Sequence, residues 1–231
     1  MRPAKPKRPG SCSSLLNHVE RAFYLPNREA GRRKRAPLAK LPPKSVQVSQ
    51  HDRFPLLDAF VIANSGKEKK RFCDVGCSIP SHALSTFSTA QRFSRFGLQI
   101  EVHGVDIASM PEFEKFRKTA LDAHGINFFI ADYRKARLPE NYDFIRLGNV
   151  TQYLDKPTFR RVLVNLVESL NNGGYLQVSS VNPSRRVVYK KEVRGNAATL
   201  NVVEDSQSLP LGSLARKYSA ILEDARFFQR K

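Results

Sequence analysis

The 231-residue sequence predicts an α/β domain, a doubly wound and mostly parallel sheet that ends in an antiparallel hairpin. Three observations predict it. From Arg71 onward, short apolar runs alternate with segments of helical period, the pattern of successive βαβ units. The early strands run into acids or glycines before the next helix, at the edge where open α/β sheets bind ligands. Near the end, Arg194-Gly195-Asn196 separates two further strand patterns as a hairpin turn does.

The elements follow in chain order. Residues 1–10, MRPAKPKRPG, alternate proline with cations and suit neither helix nor strand. An amphipathic helix is expected over Ser11–Leu25, where Leu15, Leu16, Val19, Ala22 and Phe23 recur at helical spacing, and a proline-rich linker follows. A short helix is expected at Phe54–Ala63. Strands are expected at Phe72–Val75, Ile100–Val105, Asn127–Ile130, Tyr142–Leu147 and Tyr175–Val181, with helices between them at Ser81–Phe96, Pro111–His124 and Lys156–Leu170. Pro157 sits in the first turn of the last of these and Asn171-Asn172-Gly173-Gly174 reads as its stop. The hairpin strands are Arg186–Val193 and Ala198–Val203, and a final amphipathic helix covers Leu211–Phe228. Leu84, Phe87, Phe93 and Phe96 read as the face by which the first inter-strand helix packs on the sheet.

Composition narrows the class. A 41% hydrophobic content excludes disorder throughout, and apolar runs such as Phe60–Ala63 are too short to span a bilayer. The first residues lack a secretory core, so an intracellular, cytoplasmic protein is expected. Cys12, Cys73 and Cys77 read as reduced thiols, and without a second cysteine pair Cys73, Cys77 and His82 predict no metal site. The net charge of +18 favours polyanions. Residues 1–44 hold +10 of it, which divides the chain into a basic, largely disordered extension (1–44) and a folded domain (45–231). The extension suits a solvated tail, capture of nucleic acid or another polyanion with a nuclear-type address at Gly31–Arg35, or an organellar transit peptide, since no acid precedes Glu20. Three prolines in the first nine residues argue against the helix such a peptide needs.

The candidate site lies at the strand ends. Asp74 closes the first strand, and Gly76 in the turn after it lets a ligand approach the backbone closely. About 30 residues on, Asp106 ends the second strand, where a carboxylate accepts from both hydroxyls of a ribose or, alternatively, starts the following helix as a cap. Asp132 follows the third strand, suited to an adenine amino group, and Gly148-Asn149-Val150 follows the fourth.

The order DVGCS (74–78), HGVDIAS (103–109), FIADY (129–133), YDFIRLGNVTQYL (142–154) and LNNGGYLQVSS (170–180) resembles class I S-adenosylmethionine-dependent methyltransferases, with a Rossmann-like fold, over about Arg71–Val203. Within that class GCS (76–78) and residues 149–176 are most similar to chemotaxis-receptor (CheR-type) glutamate methyltransferases. The resemblance implies S-adenosylmethionine as cofactor. Gly76, Cys77 and Ser78 would border its methionine part, Asp106 with Ile107 its ribose, Asp132 and Tyr133 its adenine, and Asn149 and Val150 its methyl-bearing sulfur. It implies a carboxylate as methyl acceptor but names no catalytic base; aligning an acceptor with the sulfonium is the main task. The chain departs from the family at Ser78 and Pro80, where the loop would carry glycine, and at Ser81 and His82, where the chemotaxis enzymes are acidic. Gly148 replaces their arginine, with Arg146 two residues earlier. Two alternatives follow: a catalytically inactive methyltransferase-like module that binds nucleic acid or a protein partner, and an RNA methyltransferase.

Overall fold

A computed structural model describes residues 53–109, 111–180, 185–195, 197–206 and 211–228. The basic extension 1–44, its helix at Ser11–Leu25 and the turn residue Asn196 lie outside the described residues.

The described residues begin with helix α1 (Pro55–Asn64) and then run through β1 (Lys70–Val75), α2 (Leu84–Arg95), β2 (Ile100–Asp106), α3 (Phe113–His124), β3 (Ile126–Ile130), β4 (Tyr142–Gly148), α4 (Lys156–Glu168) and β5 (Leu170–Ser180). The hairpin β6 (Arg185–Arg194) and β7 (Ala197–Asp205) follows, then short helices α5 (Leu211–Lys217), α6 (Ser219–Leu222) and α7 (Ala225–Phe228). One seven-stranded sheet has the order β3-β2-β1-β4-β5-β6-β7. The first five strands are parallel; β6 and β7 are antiparallel additions. This is the doubly wound α/β class, with the strand order reversing between β1 and β4, the switch point at which such sheets bind ligands.

Local signals explain most boundaries. Pro55 opens α1, and Asp155 caps α4 by accepting from the Thr158 backbone N–H at 2.8 Å. Three expectations need correction. Asn171–Gly174 does not stop a helix, because α4 already ends at Glu168; it forms an irregular excursion inside β5, between the pairings Tyr142–Leu170 and Phe144–Tyr175. The helix expected at Ser81–Phe96 splits into a 3-10 turn at Pro80–His82 and α2, and the one at Leu211–Phe228 into α5, α6 and α7.

The sheet is covered on both faces. On one, Phe72, Phe144 and Val188 join α1 (Leu57, Phe60, Val61), α2 (Phe93) and the C-terminal residues Tyr218 and Phe227. On the other, Val75, Ile145, Leu147, Leu176 and Val178 pack against Phe159, Val162, Leu163 and Leu166 of α4. With both faces buried, the exposed backbone of the parallel strands is confined to their ends, and the carboxyl rim remains as the place for a ligand. Among the described residues, no helix is long and apolar enough to cross a membrane.

Candidate functional site

Strand register sets the order of residues along the carboxyl rim. Val75 pairs with Val105 of β2 and with Leu147 of β4, while Gly148 pairs with Ser179 and Ser179 with Arg186. One residue past Val75, Gly76 is level with Asp106 and Gly148, its N–H donating to Val105 O at 2.8 Å. Asp106, Gly76, Gly148, Ser179 and Arg186 thus form a row over five adjacent strands, about 19 Å long at the usual sheet spacing. The row is acidic at one end and basic at the other; between them the space over Gly148 is taken by the Phe54 ring, 2.5 Å from the Cβ position.

The loop after β1 is built around two left-handed residues. Gly76 has φ +73°, and an added Cβ would stand 2.2 Å from Val150 Cγ2. The space that sequence reasoning reserved for a ligand beside Gly76 is therefore taken by Val150 of the neighbouring β4 loop. Ser78 has φ +80°, the conformation a glycine would adopt there, at a cost of roughly 1–2 kcal/mol for an L-residue. Its N–H donates to Asp106 Oδ2 at 2.7 Å, and the Ala108 N–H donates to Oδ1 at 2.9 Å. Asp106 thus both closes its own turn and clamps the neighbouring loop; it does not cap α3, which starts at Phe113. Burial pushes the Asp106 carboxyl above its ordinary pKa, opposed by these backbone donors. Pro80 is buried at the start of the 3-10 turn, where its missing N–H costs nothing.

Asp74 points into the protein. Arg146 donates to it twice, Nε to Oδ1 at 3.0 Å and Nη2 to Oδ2 at 2.7 Å, and Thr86 Oγ1 donates to Oδ2 at 2.7 Å. Arg146 also reaches Asp58 Oδ1 at 2.8 Å, and Arg92 Nη1 reaches Asp58 Oδ2 at 2.5 Å. The Arg146 guanidinium lies over Phe54 and Phe72, 4.4 and 5.1 Å from the ring centroids. Two buried carboxylates and two buried guanidinia thus cancel in charge beneath the loop and tie α1, α2, β1 and β4 together. Asp74 is a positioning residue here, with its oxygens turned away from the rim.

The other expected residues divide in the same way. The Cys77 side chain is buried among Phe72, Phe93 and Phe128, with its thiol pushed up by burial and donating to Ser78 O at 3.2 Å. Cys73 belongs to the opposite core, and among the described residues no cluster of His, Cys, Asp or Glu is arranged to hold a metal. Ile107 packs against the α4-side core. Asp132 is held by Arg134 at 2.7 and 2.9 Å, which lowers its pKa, and stays partly exposed. Tyr133 is buried with its phenol pushed up by desolvation, its hydroxyl 3.5 Å from the Cβ position of Gly76. Asn149 is left-handed at φ +58° and buried, its N–H donating to Ser179 O at 2.9 Å. Its side-chain amide has no hydrogen bond among the described residues.

Sequence reasoning placed Ser78 at the site but missed Thr151, Ser179 and Arg186. Ser78 Oγ, Thr151 Oγ1, Ser179 Oγ and Arg186 Nη2 are buried without a hydrogen-bond partner. Only register reveals that Ser179 and Arg186 share the rim with Asp106, so no local pattern marks them. Arg146 and Asp58 did carry a signal, each being a lone charge in an otherwise apolar run (FIRLG, LLDAFVIA) that demands a buried counter-charge.

No family model matches the sequence, and no curated protein matches it. Among solved structures, the chain is similar to coclaurine N-methyltransferase bound to N-methylheliamine and SAH, at TM-score 0.42 and 15% identity over 59% of this chain and 40% of that one. It is similar to TehB from Haemophilus influenzae at TM-score 0.40 and 20% identity, covering 55% and 44%. N-methyltransferase NodS from Bradyrhizobium japonicum WM9 gives TM-score 0.39 and 16% identity, covering 76% and 82%. The chain spans less than half the length of the first two.

Proposed function

We propose that this domain binds S-adenosylmethionine across the carboxyl rim of β1, β2 and β4 and transfers its methyl group to an acceptor. The observation that carries this reading is the pair of buried, unpaired hydroxyls in the loops that follow β1 and β4, Ser78 Oγ and Thr151 Oγ1, on a switch-point sheet whose β2 ends in Asp106. Burying such groups without partners costs roughly 1–3 kcal/mol each, which a polar ligand relieves.

The residues fit that cofactor. A carboxylate has about four acceptor positions. Ser78 and Ala108 occupy one on each oxygen of Asp106, which fixes its orientation and leaves acceptor capacity for ribose hydroxyls. Asp132 and Tyr133 stand at the adenine end, Tyr133 as an apolar wall. Ser78 presents a hydroxyl to the methionine part, Gly76 holds the loop close against Val150, and Asn149 lines the centre beside Val150. Asp74 and Cys77 act from beneath by shaping the loop. When bound, S-adenosylmethionine supplies a methyl group on a cationic sulfur. The chain's task is to hold the acceptor in line and keep water out.

Calorimetry with S-adenosylhomocysteine tests this. The full chain binds it, and Asp106→Ala weakens binding at least tenfold while the fold, followed by circular dichroism, is retained. No heat of binding at millimolar ligand overturns the reading in favour of a non-catalytic module.

A further inference from the structure

At the basic end of the rim stands a cation the cofactor does not use. Arg186 lies two strands from Gly148, directly opposite Ser179 on the same face of the sheet. Its backbone is fixed, N–H donating to Ser206 Oγ and C=O accepting from Ser206 N–H, both at 2.9 Å. Its guanidinium is not satisfied: Nη2 is buried with no partner, and the adjacent Ser179 Oγ is buried with none either.

The neighbouring charges are already spent. Glu204, on the same face, accepts from Lys217 Nζ at 2.5 Å and from Tyr218 OH, and no ion pair joins it to Arg186. Asp205 pairs with Arg185 at 2.5 Å. Burial pushes the Arg186 guanidinium below its ordinary pKa, with Glu204 and Tyr218 pulling it back. A half-buried guanidinium beside an unpaired hydroxyl is costly to keep and suits an oxyanion, two of whose oxygens a guanidinium fork and a hydroxyl grip together.

The geometry points to an oxyanion subsite formed by Arg186 and Ser179 that recognises a carboxylate or phosphate on a small methyl acceptor. This rests on the methyltransferase reading, which puts the cofactor at the Asp106 end and leaves the Arg186 end of the same row for the acceptor. A small or terminal anion fits better than a polymer backbone, because the guanidinium is half-buried and the flanking cations Arg185 and Lys217 are already paired. The role assigned is recognition of the anion; which acceptor atom takes the methyl group is a separate matter.

The test uses the full chain at constant ionic strength, with and without saturating S-adenosylhomocysteine. Thermal unfolding is followed against acetate and inorganic phosphate, with chloride as reference. Acetate or phosphate raises the Tm of the wild type above that in chloride. Arg186→Gln weakens the apparent anion affinity at least tenfold while its S-adenosylhomocysteine Kd stays within twofold of wild type. Arg186→Lys keeps the charge, guards against misfolding of the first variant, and retains an intermediate response. An equal anion response in Arg186→Gln and wild type overturns the proposal, as does no response in the wild type. Arg186-dependent protection by an oligonucleotide but by neither small anion also overturns it. An Arg186-dependent anion response without any S-adenosylhomocysteine binding refutes the methyltransferase reading and with it the acceptor role, so the two failures are distinguishable.

Discussion

Replacing Arg146 by methionine tests the buried charge network beneath the candidate site. Arg146 is 0% exposed, and its guanidinium donates to both Asp58 and Asp74. Methionine keeps much of the apolar contact with Phe54 and Phe72 but strands the Asp74 carboxylate beside a thioether. Asp58 keeps Arg92 and Thr89. Removing one partner of a buried ion pair costs about 3–5 kcal/mol, because the other charge stays buried and uncompensated. Against a domain stability on the order of 5–15 kcal/mol, that is a large share.

The loss also depends on pH. Burial already raises the Asp58 pKa, with Arg146 the larger of two cations opposing the shift, so Arg146→Met raises it further. A carboxyl whose folded pKa lies above its unfolded value contributes its full stability below the unfolded pKa, near 4, and loses it as pH rises through the folded pKa. The variant is therefore closest to wild type near pH 4–5 and falls further behind toward pH 7. Urea unfolding followed by circular dichroism measures both effects. Adding Asp74→Asn to Arg146→Met recovers at least about 1 kcal/mol, since it removes the stranded charge. A variant within 1 kcal/mol of wild type at pH 7, or a deficit that shrinks as pH rises, refutes the network as described.

Three further substitutions probe the loop and its neighbours. Gly76→Ala forces a side chain into a left-handed position and within 2.2 Å of Val150 Cγ2, so urea unfolding shows a loss of roughly 2–5 kcal/mol from strain and overpacking together. Ser78→Gly relieves φ +80° and removes an unpaired buried hydroxyl; it raises stability by up to about 1 kcal/mol in the same assay, and a loss would contradict the strained backbone. Asp155→Ala removes the α4 cap and costs about 1 kcal/mol at pH 7. The bond from Thr158 holds the Asp155 pKa down, so that contribution is present above pH 4 and fades as pH falls through the lowered pKa; a cost unchanged at pH 2.5 would contradict it.

Most of the fold was legible because it depends on local periodicity. Period-two and period-3.6 patterns placed the strands and main helices to within a few residues, and Pro157 marked the first turn of α4. The misread Asn171–Gly174 stop shows where this breaks down. The same residues terminate a helix or form an irregularity inside a strand, and pairing of β5 with Tyr142 and Phe144 of β4 decides between them.

For the candidate site, the division follows sequence separation. The sequence alone placed Asp106, Asp132, Gly76 and Asn149 at strand ends, because each lies within a few residues of its own strand. Their contacts were decided by tertiary structure. Asp74 and Arg146 are 72 residues apart and Asp58 and Arg146 are 88 apart, so only the assembled sheet shows that Asp74 supports the loop from below. Ser179 and Arg186 are close in sequence, yet their place at the opposite end of Asp106's row depends on β1, β4 and β5 pairing in register. Local chemistry selects the element; which side chains share a rim, and which charges are left unpaired there, is settled only when distant strands come together.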